Sequence, residues 1–149
     1  QLVNRAQQAE ILASEINTGF STFQSTLQHK KAAYFIWRKP YMVAAGNTFI
    51  HHLLGVLGVT NVFGTSTRYP EVTLQQLAAS QPDYIFLSSE PYRFTEKHYD
   101  EFSAACPGAK VLLVDGELFS WYGSRLRYTP GYFKQLQKQL TGNADNHLV

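Results

Sequence analysis

The sequence predicts an α/β fold, in which a mainly parallel sheet is flanked by helices on both faces. Short apolar runs typical of buried strands occur at residues 32–37, 84–87 and 110–115. Helical patterns lie between these runs, and cap or turn residues separate the two kinds of segment. Because right-handed crossovers join such strands, we expect their carboxyl ends to meet at one edge of the sheet.

Composition limits the classes of function that fit. The 149 residues are 44% hydrophobic and 16% charged, as in a globular protein with one core. The net charge of +2 is small, and Lys and Arg are scattered, which argues against a nucleic-acid surface. Cys106 is the single cysteine, which excludes an internal disulfide. Aromatic content is the unusual figure at 14%, and many of the rings fall in predicted loops, where they suit a ligand surface.

The chain opens with a predicted amphipathic helix over residues 1–29. Apolar residues from Leu2 to Leu27 follow one another at spacings of four and three, which places them along one stripe. At 1.5 Å per residue this helix would be about 40 Å long, more than is usual in compact domains. A coiled coil fits the same spacing, so a dimerisation arm remains an alternative.

A second helix is predicted over residues 48–57. Asn47 or Thr48 caps its start, and Gly58 ends it. The side chains that it is expected to bury are Phe49, Leu53, Leu54 and Leu57.

The clearest single unit runs from residue 69 to residue 88. Thr73 and Gln76 have the spacing of a capping box, which predicts a helix that starts at Thr73. Pro82 ends this helix because it disfavours helical geometry at the residue before it. The buried strand at residues 84–87 follows directly.

Two further helices are predicted in the last third of the chain. Thr95 caps a helix that ends near Cys106, and Thr129 with Pro130 opens a last helix that runs to about residue 140. Residues 116–128 read as irregular, and residues 141–149 read as a tail.

Ligands of such sheets meet the loops at the carboxyl ends of the strands. Here those loops are residues 38–46, 64–70, 88–94 and 116–128, and we call the edge that they form the rim. Flat rings bury a large apolar ligand at low entropic cost, while Arg holds acidic groups bidentately. The rim collects both kinds of side chain: Tyr41, Arg68, Tyr69, Tyr92, Arg93, Phe94, Phe119, Trp121, Tyr122 and Arg125.

Catalytic and metal-binding patterns are hard to find in this sequence. No nucleophile elbow, phosphate loop or dinucleotide fingerprint is present. His51 and His52 are adjacent, so on a helix they point about 100° apart and cannot share a metal ion. Asp83 and Asp115 stand at strand ends, where such residues more often stabilise loops than act as acids or bases. We therefore expect a binding protein with no catalytic residue and no metal site of its own.

The order of several motifs resembles the class III substrate-binding proteins of ABC importers. The motifs are YFIW at residues 34–37, AGNTFI at 45–50, LGVTNVF at 57–63, YPEVT at 69–73 and QPDYI at 81–85. The segment DGELFSWYGSR at residues 115–125 also resembles the last ligand-side loop of the subgroup called helical backbone metal receptors. The likeness covers nearly the whole chain, and the joint order is more specific than any one motif.

This resemblance implies two α/β lobes joined by one rigid helix, with a ferric siderophore, haem or cobalamin held between them. Residues 1–29 would then be the inter-lobe helix, residues 32–140 a Rossmann-like C-terminal lobe and residues 141–149 its tail. The partners implied are the metal chelate, the membrane subunits of an ABC permease and an N-terminal lobe that is missing here. The location implied is the periplasm or, with a lipid anchor, the outer face of the membrane. No intrinsic cofactor is implied, since the metal arrives inside the transported ligand.

The resemblance also suggests roles for particular residues. It places an aromatic of the first ligand loop at Tyr41, others at Tyr69 and Trp121, and an Arg at Arg125. Family members usually dock to the permease through a Glu where this chain has Gln75, and Glu71 lies one turn earlier. The full predicted ligand-binding set is Trp37, Arg38, Tyr41, Arg68, Tyr69, Tyr92, Arg93, Trp121, Tyr122 and Arg125. The alternative to a binding protein is a flavodoxin-like enzyme domain that uses the same loops on a nucleotide or flavin.

Overall fold

The structure, a computed structural model, describes Leu27, residues 29–120 and residues 128–141. None of the helices in these segments has both the length and the apolar character that a membrane crossing requires. Of the predicted first helix only Leu27 and His29 are described, and neither is helical. The rest of that helix, the tail beyond residue 141 and the domain division that depends on them fall outside the described residues. The described elements are β1 (Lys31–Trp37), β2 (Met42–Val43), α1 (Phe49–Leu57), β3 (Thr60–Asn61), α2 (Leu74–Ser80), β4 (Tyr84–Ser88), a 3-10 helix (Glu96–His98), α3 (Tyr99–Ala105), β5 (Lys110–Val114), α4 (Gly116–Ser120) and α5 (Thr129–Thr141).

β1 is the centre of a five-stranded sheet. On one side it pairs in parallel with β4, from Ala32 opposite Tyr84 to Phe35 opposite Leu87, and β4 pairs in parallel with β5. On its other side it pairs in parallel with β3 at its start and antiparallel with β2 at its end. Among the described strands only the two-residue β2 runs against the others, so the predicted mainly parallel sheet is confirmed.

Each face of the sheet has its own core, because successive side chains of a strand point to opposite faces. Tyr34 and Phe86 pack into the cluster that α1, α4 and α5 complete. Phe35 and Ile85 pack into the cluster that α2 and α3 complete. All four side chains are fully buried, and burying a side chain of this size stabilises the fold by about 1.5–3 kcal/mol. Burial on both faces explains why β1 and β4 are continuous apolar runs in the sequence.

The predicted start and end of α2 are confirmed. Thr73 Oγ1 accepts a hydrogen bond from the Gln76 N–H at 3.0 Å, and Gln76 Oε1 accepts one from the Thr73 N–H at 2.8 Å. This reciprocal pair satisfies two donors that a helix start leaves without partners. Gln81 ends the helix in the left-handed region, with φ at 51°, immediately before Pro82.

The bounds of α1 are also as expected, and Leu53, Leu54 and Leu57 are buried as predicted. Thr48, one of the two candidate caps, accepts the His51 N–H at 3.0 Å, and Gly58 ends the helix with φ at 101°. Ile50 is buried where Phe49 was expected to be, and Phe49 is only partly buried. The apolar residues at both positions made the phase of the helix ambiguous in the sequence.

The segment after β5 differs from the sequence prediction, because its first part is a short helix rather than irregular chain. The carboxylate of Asp115 starts α4 by accepting the Glu117 N–H at 3.0 Å. Thr129 was expected to cap α5, but its hydroxyl donates to the Leu118 carbonyl at 2.7 Å. That bond ties α5 to α4.

Two of the rim loops are joined to each other by backbone hydrogen bonds, which we call the loop ladder. The Val43 N–H donates to the Pro70 carbonyl at 3.2 Å, and the Ala45 N–H donates to the Arg68 carbonyl at 2.8 Å. Residues 41–46 and 66–72 therefore form one hydrogen-bonded unit, which continues from β2 on the side of β1 opposite to β4.

β5 lies at the edge of the described sheet. Two backbone N–H groups, one in β5 and one directly after it, donate to side-chain hydroxyls. The Leu113 N–H donates to the Tyr99 hydroxyl at 3.2 Å, and the Asp115 N–H donates to the Tyr132 hydroxyl at 2.8 Å. Burial raises the pKa of both tyrosines, that of Tyr132 to about 12, so both hydroxyls are protonated at neutral pH. Tyr99 comes from α3 and Tyr132 from α5, so each face contributes one partner.

We predict that Gly46→Ala lowers the free energy of unfolding by about 1–3 kcal/mol, because the loop ladder has no room for a methyl group. A Cβ at this position would lie 2.4 Å from the Gly64 carbonyl oxygen and 2.9 Å from that of Ser66. Urea denaturation measures the loss. Gly55→Ala is the matched control: its Cβ meets nothing within 4 Å in the middle of α1, so a gain of about 0.5–1 kcal/mol is expected. Equal stability of Gly46→Ala and the parent chain would contradict the close approach.

Tyr99→Phe should also destabilise the chain, by about 1 kcal/mol, because the Leu113 N–H loses its acceptor while the ring stays in place. Thermal denaturation gives the change. Tyr69→Phe removes a hydroxyl from an exposed ring and is expected to leave the transition unmoved. An equal effect of the two substitutions would argue against the edge hydrogen bond.

Candidate functional site

The rim presents one aromatic pair from two neighbouring parallel strands. Trp37 is the last residue of β1 and is 38% exposed, and its ring meets that of Tyr92 edge-on with centroids 5.6 Å apart. Tyr92 reaches β1 because its N–H donates to the Ile36 carbonyl at 3.3 Å. Its ring also contacts Phe94, which is buried, at 4.7 Å. The exposed Trp37 thus stands beside a supported ring.

A buried histidine fixes the loop that carries Tyr92. The Thr95 N–H donates to Nδ1 of His98 at 3.0 Å, and the Tyr92 hydroxyl lies 3.3 Å from Nε2 of the same ring. His98 is 4% exposed, and it lies in the 3-10 helix that precedes α3. Thr95 was expected to open a single α-helix, and this 3-10 turn takes the place of its beginning.

The loop after β1 is tied to α3 by a carboxylate. The Glu101 carboxylate pairs with the Arg38 guanidinium: Nε donates to Oε1 at 3.1 Å and to Oε2 at 3.0 Å, and Nη2 lies 3.0 Å from Oε1 in an ion pair. The Tyr41 hydroxyl donates to Oε2 of the same carboxylate. The Tyr41 ring packs against Phe35 and Phe102, at 5.9 and 5.5 Å. Both side chains therefore have partners within the chain, and their contacts with a ligand stay a prediction.

The charge state of this cluster follows from its contacts. Burial by itself raises the pKa of Glu101, but the hydrogen bonds from Arg38 and Tyr41 outweigh it and hold that pKa below its ordinary value of 4.5. The hydrogen bond with Glu101 is the main cause of the raised pKa of Arg38. Burial, and then the bond to Glu101, raises the pKa of Tyr41 to about 12. At neutral pH the cluster is an ion pair with a neutral tyrosine.

Arg68, Tyr69 and Arg93 are the predicted site residues whose side chains are exposed and have no partner among the described residues. Arg68 lies in the loop ladder with φ at 61°, and Tyr69, the next residue, is 41% exposed. Arg93 borders a surface cleft of about 460 Å³, together with Ser89, Phe94, Thr95, Glu96, Lys97 and Leu113. The free guanidinium groups of the described rim therefore come from the loops after β3 and β4.

The remaining predicted residues divide into two groups. Trp121, Tyr122 and Arg125 lie outside the described residues, so their roles stay predictions. Glu71 and Gln75 are both exposed, and Glu71 forms a backbone bridge with Met42 at the end of the loop ladder.

Glu101 is the site residue that sequence reasoning missed. It lies 60 residues from Tyr41 and 63 from Arg38 in the chain, so no local spacing connects them. The only signal was a carboxylate in the first turn of a predicted helix. Carboxylates are common there because they interact favourably with the helix dipole.

Within the described residues no three His, Cys, Asp or Glu side chains stand close enough to hold a metal ion. The acids at strand ends have structural partners: Asp83 Oδ2 accepts the Lys31 N–H at 2.8 Å, and Asp115 accepts the Glu117 N–H. His51 contacts the Asn61 amide at 3.2 Å, and Cys106 is buried with a pKa that burial raises. The described rim is therefore equipped for apolar and anion contacts.

The fold is shared with solved structures of periplasmic binding proteins. The vitamin B12-binding protein BtuF of Vibrio cholerae matches 93% of this chain at a TM-score of 0.67 and 17% identity. A possible iron-binding, periplasmic solute-binding protein of Staphylococcus epidermidis matches 95% at a TM-score of 0.71 and 19% identity. The haem-binding protein HutB of Vibrio cholerae matches 93% at a TM-score of 0.63 and 20% identity. The fold is that of a class III substrate-binding protein lobe.

The chain spans just over half of these structures, namely 54%, 58% and 57% of their respective lengths. No protein-family model and no curated protein sequence matches it. At identities of 17–20% the likeness establishes the fold of the lobe, and the ligand is a separate question.

We predict that the tie between Arg38 and Glu101 stabilises the chain at neutral pH and not in acid. A carboxyl whose pKa is lower in the folded than in the unfolded state stabilises the fold above its unfolded pKa. That stabilisation is lost as the pH falls through the folded-state pKa, which here lies below 4.5. Glu101→Gln should therefore cost about 1 kcal/mol in urea denaturation at neutral pH, and this cost should shrink steadily as the pH is lowered through the acid range.

Asp100→Asn is the matched control for that measurement. Asp100 is the neighbouring acid in the first turn of α3, and it is exposed. Its substitution removes the same interaction with the helix dipole but leaves Arg38 paired. If both substitutions changed stability by the same amount at every pH, the tie would contribute nothing of its own.

Proposed function

We propose that this chain is the ligand-binding C-terminal lobe of the substrate-binding component of an ABC importer, and that it captures an iron- or cobalt-containing chelate. The observation that carries the proposal is the shared fold, which extends over more than nine tenths of the chain. Vitamin B12 and haem, named for two of those proteins, are both metals held in flat organic macrocycles. In this proposal the protein works in the periplasm or on the outer face of the membrane through a lipid anchor.

The exposed aromatic side chains of the rim are evidence for a flat ligand. Trp37 and Tyr69 are two of the large hydrophobic side chains that are exposed in the described part of the chain. Trp37 ends β1, and Tyr69 lies in the rim loop after β3. Rings of this kind bury large apolar area with few rotatable bonds, so they suit stacking on a macrocycle. Trp121 and Tyr122 are proposed to add to this surface from the last rim loop.

The exposed arginines of the rim favour a ligand that carries acidic groups at its periphery. The guanidinium groups of Arg68 and Arg93 are exposed, and a guanidinium binds a carboxylate or phosphate bidentately. Arg125 is proposed to contribute in the same way. The metal is held by the chelate in this proposal, and the lobe contributes stacking and charge.

The proposed partners are the permease and a second lobe. Glu71 and Gln75 are exposed beside the start of α2, where an importer's arginines would meet them. A neutral Gln75 forms a weaker bond to Arg than a carboxylate does, so Glu71 is the stronger candidate for docking.

The flavodoxin-like enzyme has less support. Nucleotide and flavin sites of such sheets need a phosphate-binding turn after a strand. The turn after β1 carries Trp37, Arg38 and Pro40 instead of glycines, and the turn after β4 carries Ser89, Glu90 and Pro91. The structures with this fold reported above are binding proteins.

Titration of the full-length protein with haemin, cyanocobalamin and a ferric siderophore, followed by tryptophan quenching, tests the proposal. Saturable quenching by one of them is expected. The absence of saturation with all of them, followed by saturable binding of a flavin or nucleotide, would overturn the proposal in favour of the enzyme.

Trp37→Ala and Tyr69→Ala should each weaken binding of that chelate roughly 30-fold or more if these rings are central anchors, which corresponds to about 2 kcal/mol. Isothermal calorimetry gives the affinities without relying on Trp37 fluorescence. Gln75→Ala changes an exposed residue of α2 that is outside the predicted ligand-binding set, and it is expected to bind as the parent does. Tyr69→Phe keeps the ring, so retained affinity indicates stacking, while loss equal to Tyr69→Ala indicates a bond through the hydroxyl. Unchanged affinity of both alanine variants would remove these residues from the site.

A further inference from the structure

The cations of the rim differ in whether they are already neutralised. Arg38 is held by Glu101 through three close contacts, while the guanidinium groups of Arg68 and Arg93 have no partner among the described residues. Arg38 follows Trp37 directly, and a hydrogen bond with Tyr92 adds to the rise of its pKa. Its guanidinium therefore lies next to the aromatic pair.

The geometry of the pair favours Glu101 over any external anion. Nε of Arg38 reaches both carboxylate oxygens, at 3.1 and 3.0 Å, and Nη2 reaches Oε1 at 3.0 Å. An incoming carboxylate must replace this fork, and it loses translational and rotational freedom that Glu101 has already lost by folding. The Tyr41 hydroxyl donates to Oε2 as well, so the carboxylate is held from two sides.

We propose that Glu101 is a positioning residue that sets the charge of the rim, by keeping Arg38 unavailable to anionic ligands. The inference rests on the proposed function for its biological meaning. With Glu101 in place the described rim meets a ligand with two free guanidinium groups, those of Arg68 and Arg93. Without Glu101 it gains a third, beside Trp37 and Tyr92. Glu101 therefore limits binding of multiply anionic chelates relative to neutral ones.

The first arm of the test needs no knowledge of the chelate. The Nε–H resonance of Arg38 is followed by NMR in the full chain during a titration with sulfate. In the parent chain this resonance is expected to stay in place, and in Glu101→Gln it should move saturably. Asp100→Asn makes the same change in net charge one residue away and should behave as the parent. Glu101→Asp keeps the carboxylate and should restore protection, which a role in packing alone does not explain.

The second arm compares two chelates on the full-length protein. Haemin carries two propionates, while cyanocobalamin has no net charge. Glu101→Gln should tighten binding of haemin roughly tenfold, as one additional charge-assisted contact allows, and change binding of cyanocobalamin less than about twofold. Glu101→Ala, which leaves no polar group against Tyr41, should act in the same direction and serves if Glu101→Gln does not fold.

The two arms separate the inference from the proposed function. If sulfate moves the Arg38 resonance equally in the parent and in both Glu101 variants, or in none of them, the inference is wrong. If sulfate acts as expected but haemin binding is not tightened, Arg38 does not face the ligand and the inference also fails. If sulfate acts as expected and no chelate binds any variant, the control of Arg38 by Glu101 stands and the proposed function fails.

Discussion

β1 is hydrogen-bonded along both of its sides and buried on both of its faces, and the placement of the described rim depends on that constraint. Residues 32–35 are fully buried, β4 pairs with them on one side, and β3 and β2 share the other. The parallel register with β4 brings the carboxyl ends of the two strands to the same edge. Trp37 and Tyr92 meet there because one ends β1 and the other follows β4.

Two sets of contacts fix the positions of the rim loops relative to the strands. The loop ladder joins residues 41–46 to residues 66–72, so the loops that follow β1 and β3 form one hydrogen-bonded unit. Glu101 then holds that unit to α3 through Arg38 and Tyr41. The loop ladder and the Glu101 contacts both restrain the rim loops in the absence of a ligand. Surfaces that are ordered in advance lose less entropy on binding.

Local signals in the sequence predicted what local interactions determine. The capping box of Thr73 and Gln76 and the left-handed Gly58 involve neighbours within a few residues, and both were predicted correctly. The mainly parallel sheet also followed from the alternation of strands and helices.

Contacts between distant parts of the chain could not be predicted in the same way. The loop ladder exists because residues 41–46 find a partner about 25 residues away, and Glu101 joins the site from more than 60 residues away. Arg38 and Tyr41 were correctly assigned to the first rim loop, but nothing in their own neighbourhood indicates that a carboxylate already binds them.

The tyrosine hydroxyls at β5 have a consequence for the behaviour of the chain in concentrated solution. A sheet edge with unused donors is a template on which a second chain can add a strand, and such addition is the first step of many aggregates. Here Tyr99 and Tyr132 occupy two of those donors from opposite faces, and their rings stand beside the edge. The two hydroxyls therefore leave fewer free donors at this edge for a second chain to pair with.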